Sequence, residues 1–217
     1  MEFKDVLQHR HAERFFTDQQ IAPATLQEIV TDAKQAPSWA NAQPWQVVVA
    51  TGKTLAEIKR GHLERSQRGV VGNTDMPVAH RSEWSAASRQ NMATFNGELN
   101  RHLLAADAQA TYGQSQDRLF NAAALVYLVL REPVNGWAIF DLGAFSQTLM
   151  LSATDRGIQS IPAYEIIRYP DALRKLFGLD QTSRFIMGIA LGYRDRAVIN
   201  DFRSSRVANS EFLTIRD

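Results

Sequence analysis

The sequence predicts a single mixed α/β domain in which helices cover a β-sheet. Two observations lead there. Buried-strand patterns alternate with helical ones, and no repeat, low-complexity tract or Pro/Gly linker divides the chain. A third is size: 217 residues at 45% apolar content can bury one substantial core.

The first helical segment ends near Arg10. Leu26, Ile29, Val30 and Ala33 then recur at i, i+3, i+4, i+7 ahead of Pro37, which predicts an amphipathic helix over 24–36. The three consecutive valines between Trp45 and Thr51 predict a strand. Leu55, Ile58 and Lys59 fall at turn spacing and predict a helix over 52–62. Residues 63–118 are polar, carry Gly, Asn, Asp and Pro near 72–77, and hold one long helix from Ser85 to Ala108, so they read as an excursion from the core. Ala122 to Leu130 is continuously apolar, as expected of a strand covered on both faces. Over 136–156, Trp137, Phe140, Phe145, Leu149, Met150 and Ala153 surround most of a helix, which the core or a partner subunit must therefore bury. Pro170 opens a short helix that Gly178 closes, with Leu173, Leu176 and Phe177 on its apolar face. Phe185 to Leu191 is a third buried strand, and a polar, arginine-rich tail follows.

Composition excludes several classes of function. A net charge of +1 gives no general drive toward nucleic acid or an anionic membrane, and neither is expected as a partner. With no cysteine there is no disulfide, thiolate zinc site or cysteine nucleophile. Met1 to Asp5 is charged and lacks the apolar stretch of a secretory signal, and the apolar run 122–130 is too short to span a bilayer. A cytoplasmic protein is the expectation.

Searches for catalytic motifs are mostly negative. Gly52-Lys53-Thr54 resembles the end of a phosphate-binding loop, but the glycine needed five residues earlier is Val47. There is no G-x-G-x-x-G, H-E-x-x-H or G-x-S-x-G, and His9-x-His11 alone supplies too few ligands for a metal. Two segments remain. Gln8 to Phe16 gathers His9, Arg10, His11 and Arg14, and guanidinium groups match phosphate oxygens with paired donors. Taken alone, this segment is either an anion site or a solvated basic turn. Ala36 to Trp45, with two prolines, offers donors and acceptors from Ser38, Asn41 and Gln43. It could hold a planar heterocycle or be a capped turn with a core tryptophan.

Together, in this order, Arg10–Phe16 and Ala36-Pro37-Ser38-Trp39-Ala40-Asn41-Ala42-Gln43-Pro44-Trp45 resemble the two N-terminal signatures of the flavin-dependent nitroreductase family. Asp141-Leu142-Gly143, Gly157 to Pro162, Gly188 to Tyr193 and Arg203-Ser204-Ser205-Arg206 also resemble family landmarks in family order. Only about 61–118 lacks them. The resemblance implies a three-layer α+β sandwich over 1–217, with a central mixed β-sheet covered by helices. It further implies an intertwined homodimer holding FMN at its interface, and the 61–118 excursion acting as a variable lid over the active site.

The same resemblance assigns residues. Arg10, His11, Arg14 and Arg206, with Arg203 as a further candidate, are expected to grip the ribityl phosphate and the pyrimidine edge. Ala12 stands where the family commonly has Ser, leaving its backbone N–H as the contact. Ser38, Trp39 and Asn41 are expected to approach the flavin from the partner subunit, with Pro37 and Gln43 shaping their loop. Pro162, Ala163, Tyr164 and Glu165 are expected along one face of the isoalloxazine, with a main-chain N–H at Tyr164 or Glu165 toward N5. Asp141 and Gln147 either reach the cofactor or interface or serve packing. Met76, Trp84 and Phe95 either touch substrate or serve the core. The expected reaction is ping-pong hydride transfer from NADH or NADPH through flavin N5 to a small electron acceptor such as a nitroaromatic or quinone. Arg14 gives electrostatic support, with no side-chain nucleophile and no metal. Reduction of an activated C=C bond, reductive dehalogenation and a non-catalytic flavin-binding module are the alternatives.

Overall fold

The computed structural model describes residues 1–217. The elements are α1 (Phe3–His9), α2 (Pro23–Ala33), β1 (Trp45–Ala50), α3 (Gly52–Gln67), α4 (Ala86–Ala105), α5 (Gln109–Asp117), β2 (Ala124–Arg131), α6 (Gly136–Asp155), β3 (Gln159–Pro162), α7 (Pro170–Phe177) and β4 (Ser183–Gly192). The strands form one sheet in the order β1-β2-β4-β3.

Alternation along β2 makes the domain three layers deep. Ala124, Val126, Leu128 and Leu130 face the side covered by α2 and α6, where Ile29, Phe145 and Leu149 meet them. Leu125, Tyr127 and Val129 face the opposite side, where Leu55 and Ile58 of α3 and Leu173 of α7 close a second core. A strand buried on both faces needs apolar residues at both parities, which is why 122–130 reads as an unbroken apolar run. β4 carries one extra residue against β2, because Leu128 pairs with Met187 and Val129 with Phe185.

The expected mixed sheet is instead antiparallel throughout. Helix α6 does return the chain so that β3 runs the same way as β2, but β4 inserts between them and makes every neighbouring pair antiparallel. The one parallel pairing is an isolated bridge from Ala12 to Ser160 at the β3 edge. Two elements give no sequence signal. β3 is only four residues long, and α5 is polar around its circumference with Ser115 its one buried residue. Helix α3 outruns its expected end by five residues, because the extension to Gln67 is solvated and carries no apolar period.

The excursion is not detached. Leu99 and Leu103 of α4 form a third core with Ala108, Ile199 and Phe202, flanked by Phe15 and Tyr112. The excursion therefore supports both ends of the chain where they meet. Helix α6 buries Leu142, Phe145 and Leu149 but leaves Trp137 61% and Phe140 71% exposed, so the core covers only part of its apolar surface.

Candidate functional site

The two termini are tied together through Asn200. Its side chain is fully buried and saturated: Oδ1 accepts the Arg14 and Phe15 backbone N–H groups at 2.7 and 3.1 Å, and Nδ2 donates to the Phe15 and Asp195 carbonyls at 2.7 and 3.0 Å. Beside it, fully buried Glu13 pairs with Arg194 at 2.7 Å and His11 at 2.6 Å, while its own N–H reaches the Ser160 carbonyl at 3.1 Å. Phe16 donates to the Phe120 carbonyl at 3.0 Å. Leu119, Phe120 and Asn121 all hold positive φ, between 47° and 61°, a conformation that costs L-residues energy and that these contacts sustain.

This frame brings Arg10 within electrostatic reach of Arg206. Burial and the Arg206 charge both lower the pKa of the Arg10 guanidinium, and no carboxylate compensates it. Arg206 bonds only to its own turn, at Ser204 Oγ (2.7 Å) and the Ser204 and Ser205 carbonyls. Arg203 turns inward onto the Asn200 carbonyl at 2.7 Å. The His11 ring is committed to Glu13, but the backbone N–H groups of His11 and Ala12 have no acceptor in the chain. Two cations within electrostatic reach of each other, with free backbone donors following Arg10 in sequence, are suited to an anion.

A cavity of about 190 Å³ is lined by Arg14, Tyr112, Gln116, Phe120, Ile161, Ala163, Tyr164 and Glu165. Arg14 is 8% exposed, and its guanidinium meets the Ala12 carbonyl at 3.0 Å and the Phe202 ring at 5.5 Å. Burial lowers its pKa, opposed by Tyr112 and Glu13. Across the cavity, Ala163 donates to the Gly188 carbonyl at 2.9 Å, which extends the β3–β4 ladder by one rung before the chain turns through Tyr164–Ile167. The Glu165 carboxylate points inward, 2.6 Å from Arg168 and 3.6 Å from His62, so it does not face solvent. The backbone N–H groups of Tyr164 and Glu165 are the ones left without a partner.

Pro37 to Gln43 is built elsewhere, on α6. Trp39 donates its N–H to the buried Asp141 at 3.0 Å and lies 4.8 Å from Trp137, ring centre to ring centre. Ser38 Oγ accepts the Gln43 N–H at 3.0 Å, and the Gln43 amide donates to Asn41 Oδ1 at 3.1 Å. Ala40, Asn41 and Gln43 hold positive φ. The chain thus gathers Arg14, Ala163, Tyr164 and Glu165 around one cavity, whereas Arg206 lines a different one with Ser204, Ser205 and Phe95, and Ser38, Trp39 and Asn41 are held on α6.

Tyr112 and Gln116 escape sequence reasoning because α5 shows no apolar period, although their i, i+4 spacing puts them on one helix face. Asn200 offers no signal either, since a buried amide looks like a surface one in sequence. Of the apolar substrate candidates, Phe95 packs on Phe202 at 5.8 Å, Met76 against the main core and Trp84 is exposed, so none lines this cavity. Asp141 serves the 37–43 loop, and Gln147 is exposed.

A sequence profile for the Nitroreductase family matches residues 7–193. The chain is 27% identical over 213 residues to a 4-nitrobenzoate reductase from Pseudomonas putida, covering 94% of this chain and 91% of that protein. It is 29% identical over 215 residues to nitroreductase NfnB from Mycolicibacterium smegmatis, covering 95% and 89%. The crystal structure of the FMN-dependent nitroreductase NfnB from Mycobacterium smegmatis in complex with NADPH superposes with a TM-score of 0.90 at 26% identity, covering 99% of this chain and 97% of that one.

Proposed function

The chain belongs to the Nitroreductase family, and from that premise we propose that it is an FMN-dependent NAD(P)H oxidoreductase that reduces electron-poor acceptors such as nitroaromatics or quinones by a ping-pong mechanism. The observation that carries this reading is the cavity that gathers the buried Arg14 with Ala163, Tyr164 and Glu165, supported by Arg10 and Arg206, which come from opposite ends of the sequence into electrostatic reach of each other. Such a pair is relieved by a phosphate monoester, and the residues of the Arg14 cavity fit the rest of FMN. The His11 and Ala12 N–H groups extend the anion site, and the cavity at Arg14 offers one cation and two free main-chain donors to a heterocycle.

When bound, FMN supplies a two-electron carrier that takes hydride from a nicotinamide and passes it to an acceptor. The protein's part is position and charge. Arg10 and Arg206 hold the phosphate, with Arg203 supporting the turn between them. Arg14 presents its charge where negative charge develops on reduction, and each 1.36 kcal/mol of such stabilisation is worth about tenfold in rate. Pro162 and Ala163 form the wall, and the Tyr164 and Glu165 N–H groups orient the ring. A second copy of the chain supplies Pro37, Ser38, Trp39, Asn41 and Gln43. The exposed apolar surface of Phe3, Leu7, Trp39, Trp137 and Phe140 supports such a homodimer. NADPH as donor is supported by the NADPH complex of the M. smegmatis relative.

The test is anaerobic. Purified protein should carry or take up FMN, NADPH should bleach its absorbance, and 4-nitrobenzoate should restore it, with parallel double-reciprocal lines in steady state. Arg10→Ala and Arg206→Ala should each weaken FMN retention at least tenfold without unfolding the protein. Failure of the wild type to bind FMN would sink the reading.

A further inference from the structure

The Tyr164–Ile167 turn, which carries the two free main-chain donors of the Arg14 cavity, is crossed by a strap formed by residues 70–75. Contacts join the two directly. The Asn73 N–H donates to the Arg168 carbonyl at 3.1 Å, and the Val70 carbonyl accepts the Tyr169 hydroxyl at 3.1 Å and Arg168 Nη2 at 3.4 Å. Arg168 also donates to the Glu165 carboxylate at 2.6 Å, so one guanidinium links the strap to a wall of the cavity. The approach is close: a methyl group on Gly72 would lie 2.6 Å from Arg168 Cγ and 2.8 Å from the Tyr164 hydroxyl oxygen.

The strap is locked at its end. The Asp75 side chain is 3% exposed, and its Oδ2 accepts from Arg174 of α7 at 2.7 Å and from the Phe185 N–H of β4 at 2.9 Å, with Arg184 3.4 Å from Oδ1. Arg174 donates as well to Asp171 at 2.7 Å, whose other oxygen accepts from the Asn73 side-chain amide at 2.8 Å. Positions 73 and 75 are therefore both fastened to α7. Withdrawing Asp75 would leave the buried Arg174 with the exposed Asp171 as its one carboxylate, a loss that keeps the strap in place.

We propose that Asp75 is a positioning residue for cofactor binding: by locking residues 70–75 across the Tyr164–Ile167 turn, it holds in place the main-chain donors that serve the Arg14 cavity. The proposal rests on the FMN reading above and goes beyond it, because it assigns a role to a segment without family landmarks. Asp75 does not line the cavity and acts through the strap. A turn that is ordered before the ligand arrives spares binding the entropy of ordering it, so releasing the strap weakens FMN binding in a protein that stays folded.

The experiment compares the full-length wild type with Asp75→Asn, Asn73→Ala and a control, Ile29→Val, which loosens the core on the opposite face of the sheet. Circular dichroism fixes a temperature at which each is folded. Amide hydrogen exchange without FMN reads Asn73, Ile166 and Arg168, whose N–H groups bond across the strap and within the turn, and fluorescence titration reads FMN affinity. In Asp75→Asn the three amides should exchange about tenfold faster while those of β2 are unchanged. The FMN dissociation constant should rise by about tenfold as well. Asn73→Ala should show both effects to a smaller degree, and Ile29→Val neither. If Asp75→Asn does not fold, Asn73→Ala decides the matter, because it leaves the buried ion pair intact. Unchanged exchange of the turn in the strap variants, faster exchange with unchanged FMN affinity, or an equal loss of affinity in Ile29→Val would overturn the role of Asp75 while leaving the function intact. A wild type that binds no FMN would instead overturn both.

Discussion

His62 is a buried imidazole whose Nε2 lacks a hydrogen-bond partner, 3.6 Å from the Glu165 carboxylate and 5.5 Å from the Tyr169 ring. Burial, reinforced by the Arg168 and Arg65 charges and opposed by Asp117, pushes its pKa down to about 4 from the usual 6.5. Between those values the unfolded chain takes up a proton that the folded protein refuses. Stability is therefore level above about pH 6.5, falls as pH drops toward 4, and levels again below. At about 1.4 kcal/mol per pH unit the loss is at most about 3 kcal/mol. Urea unfolding at pH 7 and pH 4.5 should show that loss in wild type and much less of it in His62→Gln. Identical pH dependence in the two proteins would contradict the assignment. Arg10, Arg14 and Arg206 are different in kind: their types and spacing are visible in sequence, but the electrostatic reach of Arg206 to Arg10 and the burial of Arg14 are not.

The turn Tyr164–Ile167 is positioned by its packing on β4. A methyl group on Gly188 would lie 2.3 Å from the Ile166 side chain, so the turn rests directly on the strand backbone there. Gly188→Ala should destabilise by about 1–3 kcal/mol, since a tight core accommodates an added methyl only by shifting its neighbours. The neighbour is Ile166, so the Tyr164 and Glu165 N–H groups should move and FMN affinity fall. Adding Ile166→Ala, which vacates the space, should recover part of the affinity. Thermal melts and FMN titrations of the three proteins test this, and no recovery would mean that the strand rather than the turn is disturbed. Long elements with a clear period were legible in sequence: α2, α6, α7, β2 and β4 lie where expected within a few residues. β3 and α5 were not, because four residues carry too little pattern and α5 owes its place to docking rather than to an apolar stripe.

In the molecule as a whole, apolar side chains remain exposed on one set of elements: Phe3 and Leu7 on α1, Trp137 and Phe140 on α6, and Trp39 packed at a tilt against Trp137. Contacts between α1 and α6 and between α6 and the Trp39 turn join them into one surface. A large apolar patch is the usual mark of an interface. If a second copy covers it, sedimentation equilibrium should give a dimer, and if that copy also supplies Ser38–Asn41 to the flavin as proposed, Trp137→Glu with Phe140→Glu should give a monomer that also loses FMN. A double variant that becomes monomeric yet keeps its flavin would rule out a shared site.

The residue order alone determined the layered α/β architecture, the cationic segment near Arg10 and the proline-bounded turn at Ser38, because periodicity and local composition are properties of neighbouring residues. Only tertiary structure decided that β4 separates β2 from β3, that the termini meet at Asn200 and that α5 walls the Arg14 cavity. Each of those depends on contacts between residues far apart in the chain, for which saturation of buried polar groups and steric fit, rather than local pattern, select the partner.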